Sequence, residues 1–310
     1  MSFFDITPES RKLGTTLAAW SQARMAADGL DPEAFAMTLL TFARPLTAET
    51  GKGRPAGFAH AGDRAFYPCS VVKVFFLAAA QAQLETGKLA AHGELDRAMR
   101  DMIRWSSNMA TNYIIDLVTG TTGDTLLSDV ELPDWVERRQ WVNRYFRSLG
   151  WPKAEAVNAC QKLMDDDRYG REKIFVGMGG NNHNRLSTNA AARLFHEIFA
   201  GRMVTPARSR VMAGMLARPM DDPDFLANPL AQVRGYFAAG MPAGARVWSK
   251  AGHTGWTGDA DASYRRHDAA YVELPGGRAL ILAVFTQGRA ASESETILPA
   301  IAGKAAELLG

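Results

Sequence analysis

Apolar residues recur at helical spacing near the start of the chain and again through its middle. Residues 9–28 predict an amphipathic helix that ends at Gly29. Its apolar face carries Leu13, Leu17, Trp20 and Met25. The same spacing predicts further helices over residues 70–86, 94–104, 108–119, 135–149 and 187–200. Ser187 is predicted to cap the last of these helices, so the middle of the chain is expected to be a helical lobe.

Strand-like segments lie on both sides of this helical region. Before it, Phe35 to Phe42 is rich in apolar and β-forming residues, and a shorter run lies near Phe58. After it, the predicted strands are Val247 to Ala251, Asp268 to Leu274 and Leu280 to Thr286, and a helix from about Glu293 to Leu309 closes the chain. A hairpin turn at Pro275, Gly276 and Gly277 is expected between the last two strands.

This order of strands, helices, strands and a last helix predicts a single α+β domain over residues 1–310. We expect an antiparallel sheet built from the N- and C-terminal segments, with an all-helical lobe inserted between them. The sheet lobe would comprise residues 1–65 and 205–310, and the helical lobe residues 66–204. The stretches 120–134 and 165–184 follow no period, and we interpret the second as a pocket wall, since long irregular loops are usually functional.

The composition limits the kinds of molecule that the protein is expected to bind. The net charge of +2 comes from 35 Lys and Arg against 33 Asp and Glu, scattered along the chain, which excludes a strong nucleic-acid or membrane-surface footprint. Cys69 and Cys160 are the two cysteines, too few for a disulfide framework or a cysteine metal site, although one bridge between them stays open. No cofactor or metal is expected, and composition leaves the oligomeric state undecided.

The first residues lack the basic and apolar regions of a secretory signal. We therefore expect a cytoplasmic protein, or a periplasmic one if a leader has been removed from the printed sequence.

The strongest chemical signal is Ser70 followed by Lys73, directly before the apolar run that begins at Val74. Positions three apart share one face of a helix, so the hydroxyl and the amine can meet. Apolar surroundings disfavour the charged ammonium, and a neutral lysine can take the serine proton as the serine attacks a carbonyl. Because this spacing occurs by chance about once in a chain of this length, it needs supporting motifs.

Two supporting motifs follow in order. Ser106, Ser107 and Asn108 come after a predicted helix, and Lys250, Ala251 and Gly252 lie at the end of a predicted strand. Together with Ser70 and Lys73, these elements resemble the Ser-x-x-Lys, Ser-Asp-Asn and Lys-Thr-Gly motifs of class A β-lactamases and the wider penicillin-binding serine hydrolases. The resemblance extends over most of the chain and implies the same two-lobe fold.

The resemblance also implies roles. The backbone N–H groups of Ser70 and His253 would form an oxyanion hole, with Gly252 and His253 beside the substrate. Ser106 would relay a proton to the leaving group, and Asn108 would orient a substrate amide. Lys250 would supply positive potential. Alternatively, Ser106 and Asn108 are helix caps, Lys250 is a solvated strand-end lysine, and His253 is a plain hairpin residue.

Three departures from the family pattern affect the expected substrate. Ser107 replaces the aspartate of the second motif, and Ala251 replaces the threonine of the third, which removes a hydroxyl that would bind a carboxylate. The Glu-x-x-Leu-Asn string whose glutamate activates the deacylating water is absent. Glu172 is a candidate for a relocated base, with a solvated surface charge as the alternative.

We therefore expect a serine hydrolase that forms an acyl-enzyme on Ser70 from a small amide, ester or lactam. An amidase, esterase or peptidase is favoured over an antibiotic-resistance enzyme. One alternative is a class A-like β-lactamase with a rearranged deacylation loop. Another is a sensor or binding module that is acylated or occupied without turnover.

Overall fold

The fold is built on a six-stranded antiparallel sheet in a computed structural model that describes residues 2–123, 125–151, 156–163, 168–178 and 182–310. The strands are β1 (Phe35–Phe42), β2 (Ala56–His60), β3 (Val157–Asn158), β4 (Arg185–Leu186), β5 (Ala217–Arg218), β6 (Arg246–Thr254), β7 (Arg265–Glu273) and β8 (Ala279–Gln287). The sheet order is β2-β1-β8-β7-β6-β5, and β3 and β4 form a separate antiparallel pair.

The two ends of the chain meet in the middle of this sheet. β1 pairs with β8 along its whole length, from Phe35 opposite Thr286 to Phe42 opposite Ala279. All residues of β8 except the last are buried, because helices cover both of its faces. The pairing confirms the α+β fold class with one antiparallel sheet made from N- and C-terminal segments.

Helices account for most of the remaining chain. They are α1 (Pro8–Ala27), α2 (Lys73–Glu85), α3 (Gly93–Arg104), α4 (Asn108–Thr119), α5 (Leu132–Arg139), α6 (Trp141–Ser148), α7 (Gly170–Gly177), α8 (Thr188–Phe199), α9 (Pro206–Leu216), α10 (Pro223–Ala227), α11 (Arg289–Glu293) and α12 (Ile297–Leu309). α1 and α12 share one apolar core with one sheet face, and α2, α3, α4, α6, α8 and α9 share the second core with the other. α5 and α7 pack together in a separate small cluster. Within the described part of the chain, no helix is both long and apolar enough to cross a membrane.

The structure corrects several predicted helix boundaries. The helix expected over 70–86 begins as a 3₁₀ turn, Cys69–Val72, and becomes α-helical only at Lys73. The helix expected over 135–149 is two helices, α5 and α6, which meet at Gln140. The closing helix expected from Glu293 is α12, preceded by the separate short helix α11.

The irregular stretches are also more structured than expected. α7 lies inside the stretch 165–184, whose residues 165–167 and 179–181 are outside the described residues. α9, for which no element was predicted, follows Thr205, whose hydroxyl caps it. Ser187 caps α8 as predicted, since its hydroxyl accepts the N–H of Ala190 at 3.1 Å.

The division into lobes at residues 65 and 205 stays a prediction. α8 lies on the helical side of that division, yet it packs against β1, β7 and β8. Its buried residues therefore connect the helical lobe to the sheet within one core.

The packing of α1 on β2 yields a prediction for stability. A Cβ added at Gly14 would lie 2.1 Å from Phe58 Cγ and 2.3 Å from Phe58 Cβ, atoms close to the backbone that cannot swing away. We expect Gly14→Ala to destabilise the fold by about 1–3 kcal/mol, because overpacking outweighs a gain of roughly 1 kcal/mol in helix propensity. Thermal unfolding measures the change.

Gly214 in α9 is the matched control. A Cβ there meets no atom within 4 Å, so Gly214→Ala should leave the melting temperature unchanged or raise it. Equal melting temperatures for the two variants would contradict this account of α1 packing.

Candidate active site

A short 3₁₀ turn presents Ser70 at the junction of sheet and helices. The turn spans Cys69–Val72, and Lys73 begins α2 directly after it. Cys69 has a φ of 48°, a left-handed conformation that non-glycine residues seldom adopt. Val71 and Val72 are fully buried, whereas Ser70 is partly exposed. The turn therefore fixes its backbone in the core and leaves the Ser70 side chain accessible.

His267 on β7 fastens the segment that leads into this turn. Its Nε2 lies 2.8 Å from the carbonyl oxygen of Tyr67, and its Nδ1 accepts the backbone N–H of Thr286 at 3.1 Å. Because Nδ1 accepts, Nε2 carries the proton and donates to Tyr67. Burial lowers the pKa of His267 to about 3, so the ring is neutral and its tautomer is fixed.

Gly252 on β6 permits the sheet to pass beside Ser70. A Cβ at this position would lie 2.6 Å from the backbone nitrogen of Ser70 and 2.7 Å from Cys69 Cβ. Only a residue without a side chain fits this approach. His253 follows Gly252 directly on β6, and its side chain is exposed. Because Gly252 lies against Ser70, the backbone N–H groups of Ser70 and His253 belong to adjacent segments.

Lys73 is fully buried among oxygen atoms. Its Nζ lies 2.5 Å from the carbonyl oxygen of Ser106, 2.7 Å from Asn108 Oδ1 and 3.2 Å from Ser106 Oγ. A neutral amine can donate its two protons to the two nearer oxygens and keep its lone pair for the third direction. The environment therefore suits a lysine that acts as a base.

Lys250 approaches Ser106 from the sheet side. Its Nζ lies 3.0 Å from Ser106 Oγ, 2.6 Å from Gln232 Oε1 and 2.7 Å from its neighbour's carbonyl oxygen. Burial, and after it the charges of Lys73 and Arg218, lowers the pKa of Lys250 well below the ordinary value for lysine. Burial therefore disfavours the charged form of Lys250, and a negative charge brought close to it would act in the opposite direction.

Ser106 lies between the two buried lysines. Lys250 can donate to Ser106 Oγ. A neutral Lys73 can accept the Ser106 proton on its lone pair, whereas a protonated Lys73 can donate to the same oxygen. Its φ of 56° is a second left-handed non-glycine conformation at the site. Such strain persists where surrounding contacts enforce it, and the Lys73 contact to the Ser106 carbonyl does so.

The helix cap belongs to Ser107 and not to its neighbours. Ser107 Oγ accepts the N–H of Ala110 at 3.2 Å, at the start of α4. The cap alternative for Ser106 and Asn108 is therefore wrong, since both side chains contact lysines instead. The solvated strand-end alternative for Lys250 is also wrong, because its side chain is fully buried.

The sequence prediction missed three polar residues around this cluster. Arg218 is buried and donates to Ser249 and to the carbonyls of Ile103 and Arg104, which joins β6 to the end of α3. Gln232 reaches Lys250 from a left-handed conformation at φ 55°. No periodicity or motif in the sequence marks either residue.

The third missed residue is Asp268, directly opposite Ala251 in the β6–β7 register. It is fully buried, and its Oδ2 accepts the N–H of Phe237 at 2.9 Å. Its Oδ1 has no hydrogen-bond partner among the described residues. Burial raises the pKa of Asp268 to about 7, against the opposing influence of the Phe237 N–H and of Arg218.

Glu172 is buried in a second polar cluster. Its carboxylate accepts Arg139 Nη1 at 2.7 Å and the backbone N–H of Lys162 at 2.7 Å. Only 2% of Glu172 is exposed, so the alternative of a solvated surface charge is wrong. Both of its oxygens are already bound, which makes it a structural anchor of the stretch before α7.

α4 holds that same stretch with a polar stripe. Asn108, Asn112 and Asp116 lie four residues apart on one face of the helix. Asn112 both donates to and accepts from the backbone of Leu163, at 2.7 and 2.9 Å, and Asp116 binds Lys162 Nζ at 2.6 Å. Leu163 is therefore fixed one helical turn from Asn108, and its apolar side chain is buried.

The described residues offer one group with three closely spaced metal-ligand atoms, His183, Asp259 and Asp261. Two cations already contact its carboxylates: Arg168 lies 3.2 Å from Asp259, and Arg185 lies 3.5 Å from Asp261. We therefore assign no metal to this group. Cys69 and Cys160 are both free thiols, so the bridge left open by the sequence is not formed.

A family model confirms the resemblance that the motifs indicate. The model described as "Beta-lactamase enzyme family" matches residues 91–309, which include Ser106, Asn108 and Lys250. The chain belongs to the beta-lactamase enzyme family. Ser70 and Lys73 precede the segment that the beta-lactamase model matches. A search of curated proteins returns no match.

Solved structures of beta-lactamase type share the fold at low identity. PBP-A is 16% identical, with a TM-score of 0.61 over 95% of this chain and 96% of that one. A β-lactamase from Sphaerobacter thermophilus is 20% identical, with a TM-score of 0.61 over 95% of each chain. A mutant of PBP-A, also 16% identical with a TM-score of 0.61 over 95% and 96% of the two chains, is an acyl-enzyme complex with penicillin G.

Asp268 yields a prediction for the pH dependence of stability. Its pKa of about 7 in the fold lies above the ordinary aspartate value, so the unfolded chain releases a proton that the native state retains. Asp268 therefore contributes stability at low pH that is lost as the pH rises towards 7. We expect Asp268→Asn to flatten the fall in melting temperature between about pH 4 and pH 7.

Asp129→Asn, at an exposed position, is the matched control for the loss of one carboxyl group. It should leave the profile of melting temperature against pH unchanged. Parallel profiles for Asp268→Asn and the parent would show that burial does not raise the pKa of Asp268.

Proposed function

We propose that the protein is a serine hydrolase that forms an acyl-enzyme on Ser70 from a small amide, ester or lactam. The observation that carries the proposal is the placement of Ser106 Oγ between two buried lysines, 3.2 Å from Lys73 and 3.0 Å from Lys250, beside an accessible serine. A structural role needs neither two buried amines at one hydroxyl nor a strained turn. Family membership supports the same reaction class.

Acylation then follows from the contacts. Ser70 Oγ bonds to the carbonyl carbon while its proton passes to Lys73 Nζ, and the carbonyl oxygen becomes negative. The backbone N–H groups of Ser70 and His253 stabilise that oxygen. The leaving group departs with the proton of Ser106 Oγ, which the protonated Lys73 replaces through its contact with that oxygen.

The features around Ala251 favour a substrate other than an antibiotic. Ala251 has no hydroxyl for a carboxylate, and the residue opposite it in the sheet is the buried Asp268. Both features weaken recognition of the carboxylate of a β-lactam. An amidase, esterase or peptidase is therefore the favoured activity.

The second half of the reaction is expected to be slow for bulky acyl groups. Glu172 is committed to Arg139 and Lys162, so it is not proposed as the deacylating base. Asn112 binds the backbone of Leu163, an apolar residue, one helical turn of α4 away from Asn108. Lys73 would serve as the base in both half-reactions, with simple esters turning over faster than penicillins.

Covalent labelling tests the nucleophile. We expect Ser70→Ala to abolish labelling by a fluorophosphonate probe while changing the melting temperature little, because the hydroxyl is partly exposed and contributes little packing. Intact mass after exposure to the probe measures the adduct. Labelling of the variant equal to that of the parent would overturn the assignment of Ser70.

The same mass measurement separates the alternatives. Rapid multiple turnover of penicillins by the parent would favour a β-lactamase with a rearranged loop. A lasting adduct with every acyl substrate would favour a sensor. Multiple turnover of p-nitrophenyl esters or aminoacyl anilides, with a long-lived penicillin adduct, supports the proposed hydrolase.

The two lysines are expected to have separable effects. Lys73→Ala should reduce kcat/KM for acylation by about 10²–10⁴ with every substrate, since it removes the general base. Lys250→Ala should reduce kcat/KM more for an ester with a carboxylate on its leaving group than for its neutral analogue, because a carboxylate pairs with the Lys250 cation and favours that charged form. The comparison of 3-carboxyphenyl acetate with phenyl acetate measures this; equal losses would contradict the role given to Lys250.

A further inference from the structure

A cavity of about 390 Å³ adjoins the backbone that carries the nucleophile. Residues from three separate segments line it: Tyr67, Arg168, Lys173, Thr254, Thr257 and Asp259. We call this cavity the Lys173 pocket. Tyr67 lies three residues before Ser70, and Thr254 Oγ lies 3.6 Å from the Sγ of Cys69. None of its lining residues belongs to the cluster of Lys73, Lys250 and Ser106.

The charges of the Lys173 pocket are predominantly positive. Arg168 and Lys173 contribute two cations, and Asp259 contributes one carboxylate. That carboxylate is already engaged, at 3.2 Å from Arg168 Nη1 and 2.5 Å from His183 Nε2. The pocket therefore retains uncompensated positive charge from Lys173.

Two donors in the Lys173 pocket have no partner within the described ranges. No carboxylate there forms an ion pair with Lys173, and Arg168 Nε is buried without a hydrogen-bond acceptor. An incoming anion would pair with the Lys173 ammonium, which lines the cavity. Tyr67 and Thr254 complete a wall that is partly apolar, which suits a short carbon chain ending in an anion.

We propose that the Lys173 pocket binds a carboxylate carried by the acyl part of the substrate, an inference that rests on the proposed function. Ser106 and Lys250 serve the departing group, so the acyl part extends from Ser70 towards Cys69 and Thr254. The volume equals that of roughly a dozen waters, enough for a short carboxyalkyl chain. The preferred substrates are amides or esters of dicarboxylic or acidic acyl groups.

Matched esters test the proposal. The parent should hydrolyse the p-nitrophenyl monoester of glutaric acid with a kcat/KM at least about fivefold above that of p-nitrophenyl valerate, as expected for one charge-assisted contact. Lys173→Met should bring this ratio near one, and Lys173→Arg should retain it. Lys88→Met, at an exposed site after α2, controls for the loss of one surface charge. An unchanged ratio in Lys173→Met would overturn the proposal.

A binding measurement separates this proposal from the proposed function. Ser70→Ala cannot be acylated, and calorimetry should show glutaric acid monoanilide binding to it at least about fivefold more tightly than valeric acid anilide. Adding Lys173→Met should remove the difference. If the parent is never acylated yet this difference is present, the proposed function fails and the pocket stands. If the parent is acylated and the difference is absent, the pocket assignment fails alone.

Discussion

The constraint on which the site depends is the close passage of β6 beside the turn that carries Ser70. At Gly252 there is no room even for a methyl group against the backbone of Ser70 and Cys69. This contact joins the sheet to the helical lobe at the point where each contributes a lysine, Lys250 from β6 and Lys73 from α2. His267 on β7 fixes this approach by donating a hydrogen bond to the carbonyl oxygen of Tyr67, three residues before Ser70.

Holding two amines in the interior is costly, since each buried ion loses several kcal/mol of hydration. The fold offsets this cost with oxygen ligands for Lys73 and Lys250, and by disfavouring the charged form of Lys250. Arg218 adds a further cation near the same strand, and the buried Asp268 adds a carboxyl group whose pKa burial raises to about 7. The buried titratable groups of this site therefore influence one another's pKa values, since burial and then the charges of Lys73 and Arg218 lower the pKa of Lys250, and Arg218 opposes the rise that burial causes in that of Asp268.

Much of this arrangement could be predicted from the sequence because it is local or ordered along the chain. Ser70 and Lys73 lie three residues apart, and the motifs at Ser106 and Lys250 follow in order, so all three can be recognised in the sequence itself. The remainder depends on contacts between distant residues. From the sequence alone, Glu172 could be a surface charge. Only the structure shows that it binds Arg139 on a different helix. Gln232 and Asp268 lie in no motif, and their roles arise only when β6, β7 and the loop before them pack together.

Along the polar stripe of α4, the contact that positions the neighbouring backbone is separate from the contacts of the side chain at the same residue. Asn112 binds the main chain of Leu163 and not its side chain, so this contact does not depend on which residue occupies the position. A substitution there can keep the Asn112 contact while it replaces the packing of the buried leucine. Such a modular attachment would let related chains diverge in the lifetime of a covalent intermediate, from a transient species to a near-permanent one, through single substitutions.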